Sequence, residues 1–177
     1  KDHTKSIYSF SLNASQTRLA TAGFDGQVSV YDLTAPQDAL LWKLGGFADP
    51  VVGTRFSNDG RWLYAISQDG TLRSYDLTAA DVKSSGESVL AHQNGIQFLG
   101  LSPDGRWLAT GGWDWFVRLW DLQGAGLTKA AYELENCTGP LSFSRDGSTL
   151  AAVCDTDVRT WPMSDPSAEP RILAGSQ

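Results

Sequence analysis

The stretch from 106 to 122, RWLATGGWDWFVRLWDL, contains two apolar runs separated by a short turn. In the second run, Val117 and Leu119 face one way, and the residues between and beside them face the other. Hydrophobic positions that alternate with a period of two indicate strands, and a Gly- and Asp-containing turn between two strands indicates a hairpin. The pattern therefore predicts a β-hairpin that closes on Trp120-Asp121.

The same pattern occurs three more times, as RLATAGFDGQVSVYDL from residue 18, RWLYAISQDGTLRSYDL from residue 61 and STLAAVCDTDVRTWPM from residue 148. The closing aromatic residues are spaced 44, 45 and 41 residues apart, and each is preceded by an Asp six positions earlier. These pairs are Asp25 and Tyr31, Asp69 and Tyr75, Asp114 and Trp120, and Asp155 and Trp161. A strand-turn-strand pattern with a period of about 43 residues predicts a repeat architecture.

The four copies resemble repeats of the WD-repeat family of β-propellers, and the resemblance covers essentially the whole chain. It implies an all-β fold, a β-propeller of four-stranded antiparallel blades, with four blades per chain and with strands a to d running from the innermost to the outermost. We expect one domain, 1–177, with repeats at approximately 3–46, 47–91, 92–135 and 136–177. The predicted strands are 7–12, 18–23, 27–33 and 39–44; 51–57, 61–67, 71–77 and 87–91; 96–101, 106–112, 116–122 and 127–135; and 141–143, 149–154, 158–161 and 171–173. Within 127–135, Lys129-Ala130-Ala131 also fits a helical turn by propensity.

The resemblance also implies a buried chain of hydrogen bonds that links the loop before strand a to the turn between strands b and c. Its expected members are His92, Thr110, Asp114 and Trp120 in the third repeat, and His3, Thr21, Asp25 and Tyr31 in the first. The second repeat lacks it, because Phe47 and Ala65 replace the His and the hydroxyl, and in the fourth Pro162 replaces the final Asp.

A His, a hydroxyl and an Asp also resemble a hydrolase triad. However, the set occurs twice, Thr is a poor nucleophile without an N-terminal amine, and no Gly-x-Ser-x-Gly motif is present. A propeller enzyme that uses the central channel would need a carboxylate pair or a metal cluster, which the sequence does not indicate. We therefore interpret the network as structural and expect no catalytic residues and no enzymatic activity.

Composition restricts the partners. The net charge is −6 and the Lys and Arg residues are scattered, so we expect neither nucleic acid nor an anionic membrane surface as a partner. No apolar stretch is long enough for a membrane span. Cys137 and Cys154 lie 17 residues apart without a C-x-x-C motif, which predicts buried free thiols and neither a metal nor a cofactor. Reduced thiols are typical of a cytoplasmic protein.

The turns between strands b and c share one face with the loops before strand a, and in this family that face and the central channel carry most partners. The candidate partner-binding residues are Trp115, Trp113, Phe24, Phe47 and Gln68. Trp115 stands where the family pattern prefers Gly, and exposed aromatic residues are typical interaction anchors, although they could instead pack on neighbouring blades. We expect a scaffold that binds a basic or neutral protein or peptide. The alternatives are a regulatory or sensor segment of a larger multidomain protein and an engineered self-assembling half-propeller.

Ring closure is the remaining expectation. The end Leu173-Ala174-Gly175-Ser176 is similar to the family's Leu-x-Gly-His, and Asp2-His3 occupies the same motif position, so the chain holds a whole number of repeats. Neighbouring blades are rotated by about 90° in a four-bladed ring and about 45° in an eight-bladed ring, and bulky Tyr, Trp and Leu favour the shallower angle. We expect a homodimer in which the fourth blade of each chain packs on the first blade of the other. The alternatives are a self-closed four-bladed monomer and a fragment that needs a different partner.

Overall fold

The computed structural model describes residues 2–35, 37, 39–124 and 126–173. Within these ranges the chain forms sixteen strands, arranged as four antiparallel sheets of four consecutive strands each. The strands are β1 Ile7–Leu12, β2 Arg18–Gly23, β3 Val28–Asp32 and β4 Ala39–Leu44; β5 Val51–Phe56, β6 Trp62–Ser67, β7 Thr71–Asp76 and β8 Ser88–Leu90; β9 Ile96–Leu101, β10 Trp107–Gly112, β11 Phe116–Asp121 and β12 Tyr132–Glu135; and β13 Leu141–Phe143, β14 Thr149–Cys154, β15 Asp157–Pro162 and β16 Arg171–Leu173. A 3₁₀ turn at Val82–Ser84 precedes β8. No helix in the described part of the chain is long and apolar enough to cross a membrane.

The outer strand of the third sheet is shorter than predicted. It begins at Tyr132, and the described residues before it, from 126 onward, form turns rather than a strand or a helix. The reason is that Leu127 is buried between the second and third sheets, where its backbone N–H donates to the Glu87 carboxylate at 2.7 Å. Burial of this one leucine turns the chain away from β11 until Ala131.

Each sheet is a blade whose two faces pack on different neighbours. On the first blade, the buried residues Ala20, Val28 and Val30 pack in one cluster with Val51 and Leu63 of the second blade. Two further apolar layers lie between the second and third blades and between the third and fourth. This arrangement follows from the alternation of strand side chains, which gives every strand one set of residues for each neighbouring blade.

The four blades form an open arc. The first blade contacts the second through β1, β2 and β5, the second contacts the third through β5, β6 and β9, and β9 contacts β13. Within the ranges given above, no comparable contact joins β13–β16 to β1–β4. Residues 174–176 of the predicted closure motif lie outside the described residues. The all-β fold with four-stranded antiparallel sheets is confirmed, and the closure of the ring stays a prediction.

The contact between the second and third blades generates a test of backbone fit. Gly70 has a φ of +84°, and a Cβ at this position would overlap the carbonyl oxygen of His92. Gly60 has a similar φ of +71°, but the nearest atom to a Cβ there is 3.9 Å away, so it is a matched control. We expect Gly60→Ala to lower the free energy of unfolding by about 1 kcal/mol and Gly70→Ala by about 3 kcal/mol, measured by urea denaturation. Equal losses would contradict the close approach at His92.

Candidate partner-binding face

One edge of the arc is formed by two sets of loops. We call the segments before the first strand of each blade the lead-in loops, residues 2–6, 45–50, 91–95 and 136–140, and the segments between the second and third strands the b–c turns, residues 24–27, 68–70, 113–115 and 155–156. In every blade the lead-in loop is bonded to the b–c turn of the same blade or to the end of the strand before that turn, but the chemistry of this bond differs from blade to blade.

The third blade contains one continuous chain of hydrogen bonds. The indole N–H of Trp120 donates to Oγ1 of Thr110 at 3.0 Å, and this hydroxyl donates to Nε2 of His92 at 2.8 Å. Nδ1–H of His92 then donates to Oδ1 of Asp114 at 2.7 Å. Burial lowers the pKa of His92 below its ordinary value, so the ring is neutral at pH 7. A neutral imidazole has one donor and one acceptor, and both are used here.

An arginine that the sequence analysis did not include completes this site. Arg118 donates from Nη1 to Oδ2 of Asp114 at 2.6 Å and from Nε to the carboxylate of Glu133 at 2.8 Å. Burial of Asp114 would raise the pKa of this carboxyl group, but hydrogen bonds from His92 and Arg118 lower it overall, so Asp114 remains ionised. The sequence contains one indication of this role of Arg118. The alternating pattern places Arg118 on the same strand face as Trp120, which is a member of the network.

The first blade repeats most of this geometry. Nδ1 of His3 lies 3.0 Å from Oδ1 of Asp25, and Nε2 lies 2.8 Å from the hydroxyl of Thr21. The backbone N–H of Thr4 donates to Oδ2 of Asp25 at 2.8 Å. The Asp therefore binds both a side chain and the backbone of the lead-in loop.

Tyr31 lies outside this chain of bonds. Its hydroxyl donates to the carboxylate of Asp2 at 3.2 Å, whereas the corresponding Trp120 donates to the threonine. The phenol O–H is at the far end of its ring and the indole N–H is at the side of its ring, so the two donors reach different partners. The chemical identity of the closing aromatic residue thus decides where its hydrogen bond goes.

The second blade forms the bond without a histidine. Asp69 accepts a hydrogen bond from the backbone N–H of Ala48 at 2.7 Å, and the hydroxyl of Ser67 donates to the carbonyl of Asp49 at 3.1 Å. Phe47, at the histidine position, is half-buried, and the guanidinium of Arg73 lies 5.0 Å from the centroid of its ring. Packing and backbone hydrogen bonds therefore replace the imidazole.

The fourth blade uses a covalent bond, and the prediction of free thiols is wrong. Cys137 in the lead-in loop and Cys154 at the end of β14 form a disulfide, and neither residue has exposed surface. The expectation of a cytoplasmic location loses the support that reduced thiols lent it. In the described part of the chain, no three His, Cys, Asp or Glu side chains gather closely enough to hold a metal ion.

The candidate partner-binding residues differ in exposure. Trp113 and Trp115 lie on the same b–c turn and are 58% and 55% exposed. Phe24 is 37% exposed and contacts the ring of Tyr8, with 5.4 Å between the centroids. Phe47 and Gln68 are half-buried. The structure thus presents one pair of exposed indoles on the third blade and a separate aromatic contact on the first.

The network of the third blade generates a stability prediction. We expect His92→Ala to lower the free energy of unfolding by about 1–3 kcal/mol, because Thr110 and Asp114 each lose a buried partner. Gln93→Ala, a change of the exposed neighbour, is the control and should leave the unfolding midpoint unchanged. An unchanged midpoint in His92→Ala would show that the network does not contribute to stability.

Comparison with known proteins agrees with this geometry. The family model for the WD domain, G-beta repeat, matches residues 1–32, 39–76 and 85–121. The chain is 31% identical over 77 residues to Cilia- and flagella-associated protein 337 B of Tetrahymena thermophila, an alignment that covers 44% of this chain and 6% of that protein. It is 33% identical over 82 residues to the Target of rapamycin complex subunit wat1 of Schizosaccharomyces pombe, covering 43% of this chain and 26% of wat1. It is 33% identical over 75 residues to Coronin-7 of Bos taurus, covering 42% of this chain and 8% of Coronin-7.

The chain therefore spans much less than two thirds of the length of these relatives. The family model, in contrast, covers more than half of the chain, and the matched segments carry the hairpins and the His-Asp network described above. The chain belongs to the WD-repeat family.

Proposed function

We propose that this chain is a non-enzymatic scaffold that binds a protein or peptide through the face formed by the lead-in loops and the b–c turns. WD-repeat proteins generally act as protein-interaction scaffolds. On this chain, the face combines a framework of buried hydrogen bonds with exposed indole rings. A stiff framework holds the rings in place before a partner arrives, which reduces the entropy cost of binding.

The backbone of Trp115 carries this proposal. Its φ is +68°, close to the values of Gly26 and Gly70 at the same position of the first two b–c turns, which are +72° and +84°. A bulky residue in the left-handed region costs about 1–2 kcal/mol, and such strain is concentrated at functional sites. Because Trp115 is also largely exposed, folding gains little from the indole that would offset this cost. Contact with a partner provides a reason for a tryptophan at this position.

The charges around the indoles favour a basic or neutral partner segment. Glu135, which pairs with Phe116 beside the third b–c turn, and Asp155 of the fourth b–c turn are exposed on the same edge. The net charge of −6 acts in the same direction over longer distances. A Lys or Arg side chain can stack on an indole face while its charge lies near these carboxylates. An acidic segment, nucleic acid or an anionic membrane would be repelled.

The first test of this proposal removes the indole. We expect Trp115→Ala to weaken binding of a captured partner by ~30-fold, which corresponds to a loss of about 2 kcal/mol at a central aromatic anchor. Trp115→Gly should weaken binding equally but raise the free energy of unfolding by roughly 1 kcal/mol, because it removes the left-handed strain. Quantitative pull-down and urea denaturation measure the two effects.

Leu33→Ala is the matched control for this experiment, since Leu33 is 39% exposed but follows the end of β3, at the edge of the blade opposite to the b–c turns. Partners that depend on the face should be lost with both Trp115 variants and retained with Leu33→Ala. Partners retained by all three variants would argue against the proposed face.

A second proposal concerns closure of the arc by a second copy of this chain. The outer face of the first blade is uncovered: Leu12 is 47% exposed, whereas Phe56, at the same position of the second blade, is 6% exposed beneath its neighbour. The outer face of the fourth blade is uncovered as well, with Val158 37% and Leu173 41% exposed.

These two faces carry the residue types that already pack together inside the chain. Val158 and Leu173 are paired across β15 and β16 in the same way as Val28 and Leu44 across β3 and β4. Val28 and Leu44 are fully buried, and the layer that covers them contains Phe56. The fourth blade of one copy thus offers the surface that the first blade of another needs, and two copies related by a two-fold axis would form an eight-bladed ring.

Light scattering tests this closure. We expect a mass twice the 19.1 kDa of one chain at micromolar concentration, because two uncovered apolar sheet faces favour association. Phe10→Glu places a charge on the uncovered face of the first blade and should return the monomer, whereas Leu90→Glu, on an exposed leucine elsewhere, should leave the dimer intact. A wild-type mass near that of one chain would refute the dimer.

The relatives favour a further candidate, in which these blades are a regulatory or sensor segment of a larger protein. The aligned regions cover only 6%, 26% and 8% of the three relatives. In that case further blades of the same polypeptide would cover the two outer faces. The native reading frame distinguishes the two candidates, because a larger protein requires coding sequence that continues beyond Gln177.

A further inference from the structure

The two cysteines of the fourth blade occupy the place that the His-Asp bond takes in other blades. Cys154 is the last residue of β14, and the last residues of β2 and β10 are Gly23 and Gly112. A Cβ at Gly23 would overlap the ring of His3, and a Cβ at Gly112 would overlap the ring of His92. A side chain at this position and a histidine in the lead-in loop therefore exclude each other.

The disulfide resolves this conflict by making the link through the side chain itself. Cys154 fills the space of the missing imidazole, and Cys137 reaches it from the lead-in loop. Among the described contacts, the side chains of His3 and His92 bond within the first and third blades and not to the fourth b–c turn. The covalent bond is thus the counterpart of the hydrogen bonds of His3 and His92.

Cys137 also contacts the turn that carries the exposed indoles. Its backbone N–H donates to the carbonyl oxygen of Trp115 at 3.1 Å. The disulfide therefore holds the lead-in loop of the fourth blade. This loop in turn holds Trp115, the left-handed residue of the b–c turn of the third blade. The sulfur atoms are thus connected to Trp115 through the side chain and backbone N–H of Cys137 and one backbone hydrogen bond.

We propose that the Cys137–Cys154 disulfide positions the Trp115 turn and makes the partner-binding face sensitive to thiol reductants. The effect on a partner rests on the function proposed above, but the effect on the turn does not. When the disulfide is intact, the lead-in loop of the fourth blade is held and Trp115 keeps its conformation. When it is reduced, the loop and the Trp115 turn loosen together.

The chemistry is thiol–disulfide exchange with a dithiol reductant. A thiolate of the dithiol attacks one protein sulfur, the S–S bond breaks, and the other cysteine leaves as a thiolate that takes a proton. The second thiol of the reductant then displaces the mixed disulfide. The protein gains two electrons and two protons as two cysteine thiols, and the reductant leaves as a cyclic disulfide. Because both cysteines are fully buried, attack requires local opening of residues 136–140.

Hydrogen exchange measured by mass spectrometry with and without dithiothreitol tests this inference on the intact chain. We expect amide exchange in residues 112–116 and 136–140 to become about tenfold faster after reduction, since the crosslink no longer restricts the open loop. The b–c turn of the first blade, residues 24–27, should be unchanged because a histidine holds it. Thiol titration in denaturant should find no thiol before reduction and two afterwards.

The control is the double variant Cys137→Ser with Cys154→Ser, which should exchange like the reduced wild type and be insensitive to dithiothreitol. Two free thiols before reduction, unchanged exchange at 112–116, or faster exchange in the first blade as well would each overturn the inference. If the exchange changes as expected but no captured partner depends on Trp115, the proposed binding face fails and the positioning role of the disulfide stands.

Discussion

The bond between each lead-in loop and the b–c turns is the constraint on which the arc of blades depends. A lead-in loop begins its own blade, yet its backbone also contacts the turn of the preceding blade. The N–H groups of Ala91 and His92 donate to the carbonyl of Gly70 at 2.9 and 3.1 Å, and Cys137 donates to Trp115. Side chains of the same two loops are bonded within their own blade, His92 to Asp114 and Cys137 to Cys154. The third and fourth lead-in loops therefore each join two blades and hold the apolar layer between them in register.

This constraint is geometric, because several chemistries satisfy it. The third blade uses a neutral histidine between Thr110 and an ionised Asp114, the second uses backbone N–H groups on Asp69, and the fourth uses a disulfide. The hydrogen bonds of the second and third blades give the buried polar groups of loop and turn a partner. In the fourth blade, the disulfide replaces those polar side chains. The fourth blade thus pairs its strands like the others although it lies outside the ranges that the family model matches.

The sequence was sufficient for the parts of the fold that depend on local alternation. The inner three strands of each blade agree with prediction to within about a residue at either end, because a period of two is visible along a single strand. It was insufficient where the outcome depends on a residue far away in the chain. The bond from Arg118 requires Glu133 on the neighbouring strand, and the disulfide joins positions separated by β13. Leu127 is buried because residues of the second blade, which are far away in the sequence, pack against it.

Trp115 shows how stability and the proposed binding face are connected. A strained residue persists when its surroundings fix the backbone on both sides. Here Asp114, held by His92 and Arg118, fixes one side, and the amide of Cys137 fixes the other. At the same position of the first two turns, Gly26 and Gly70 adopt the left-handed conformation without strain and need no such constraint. Trp115 needs it, and these bonds supply it. The third turn is therefore a place where an exposed indole can be held rigidly, because one link that contains an ion pair and one that contains a disulfide meet on either side of it.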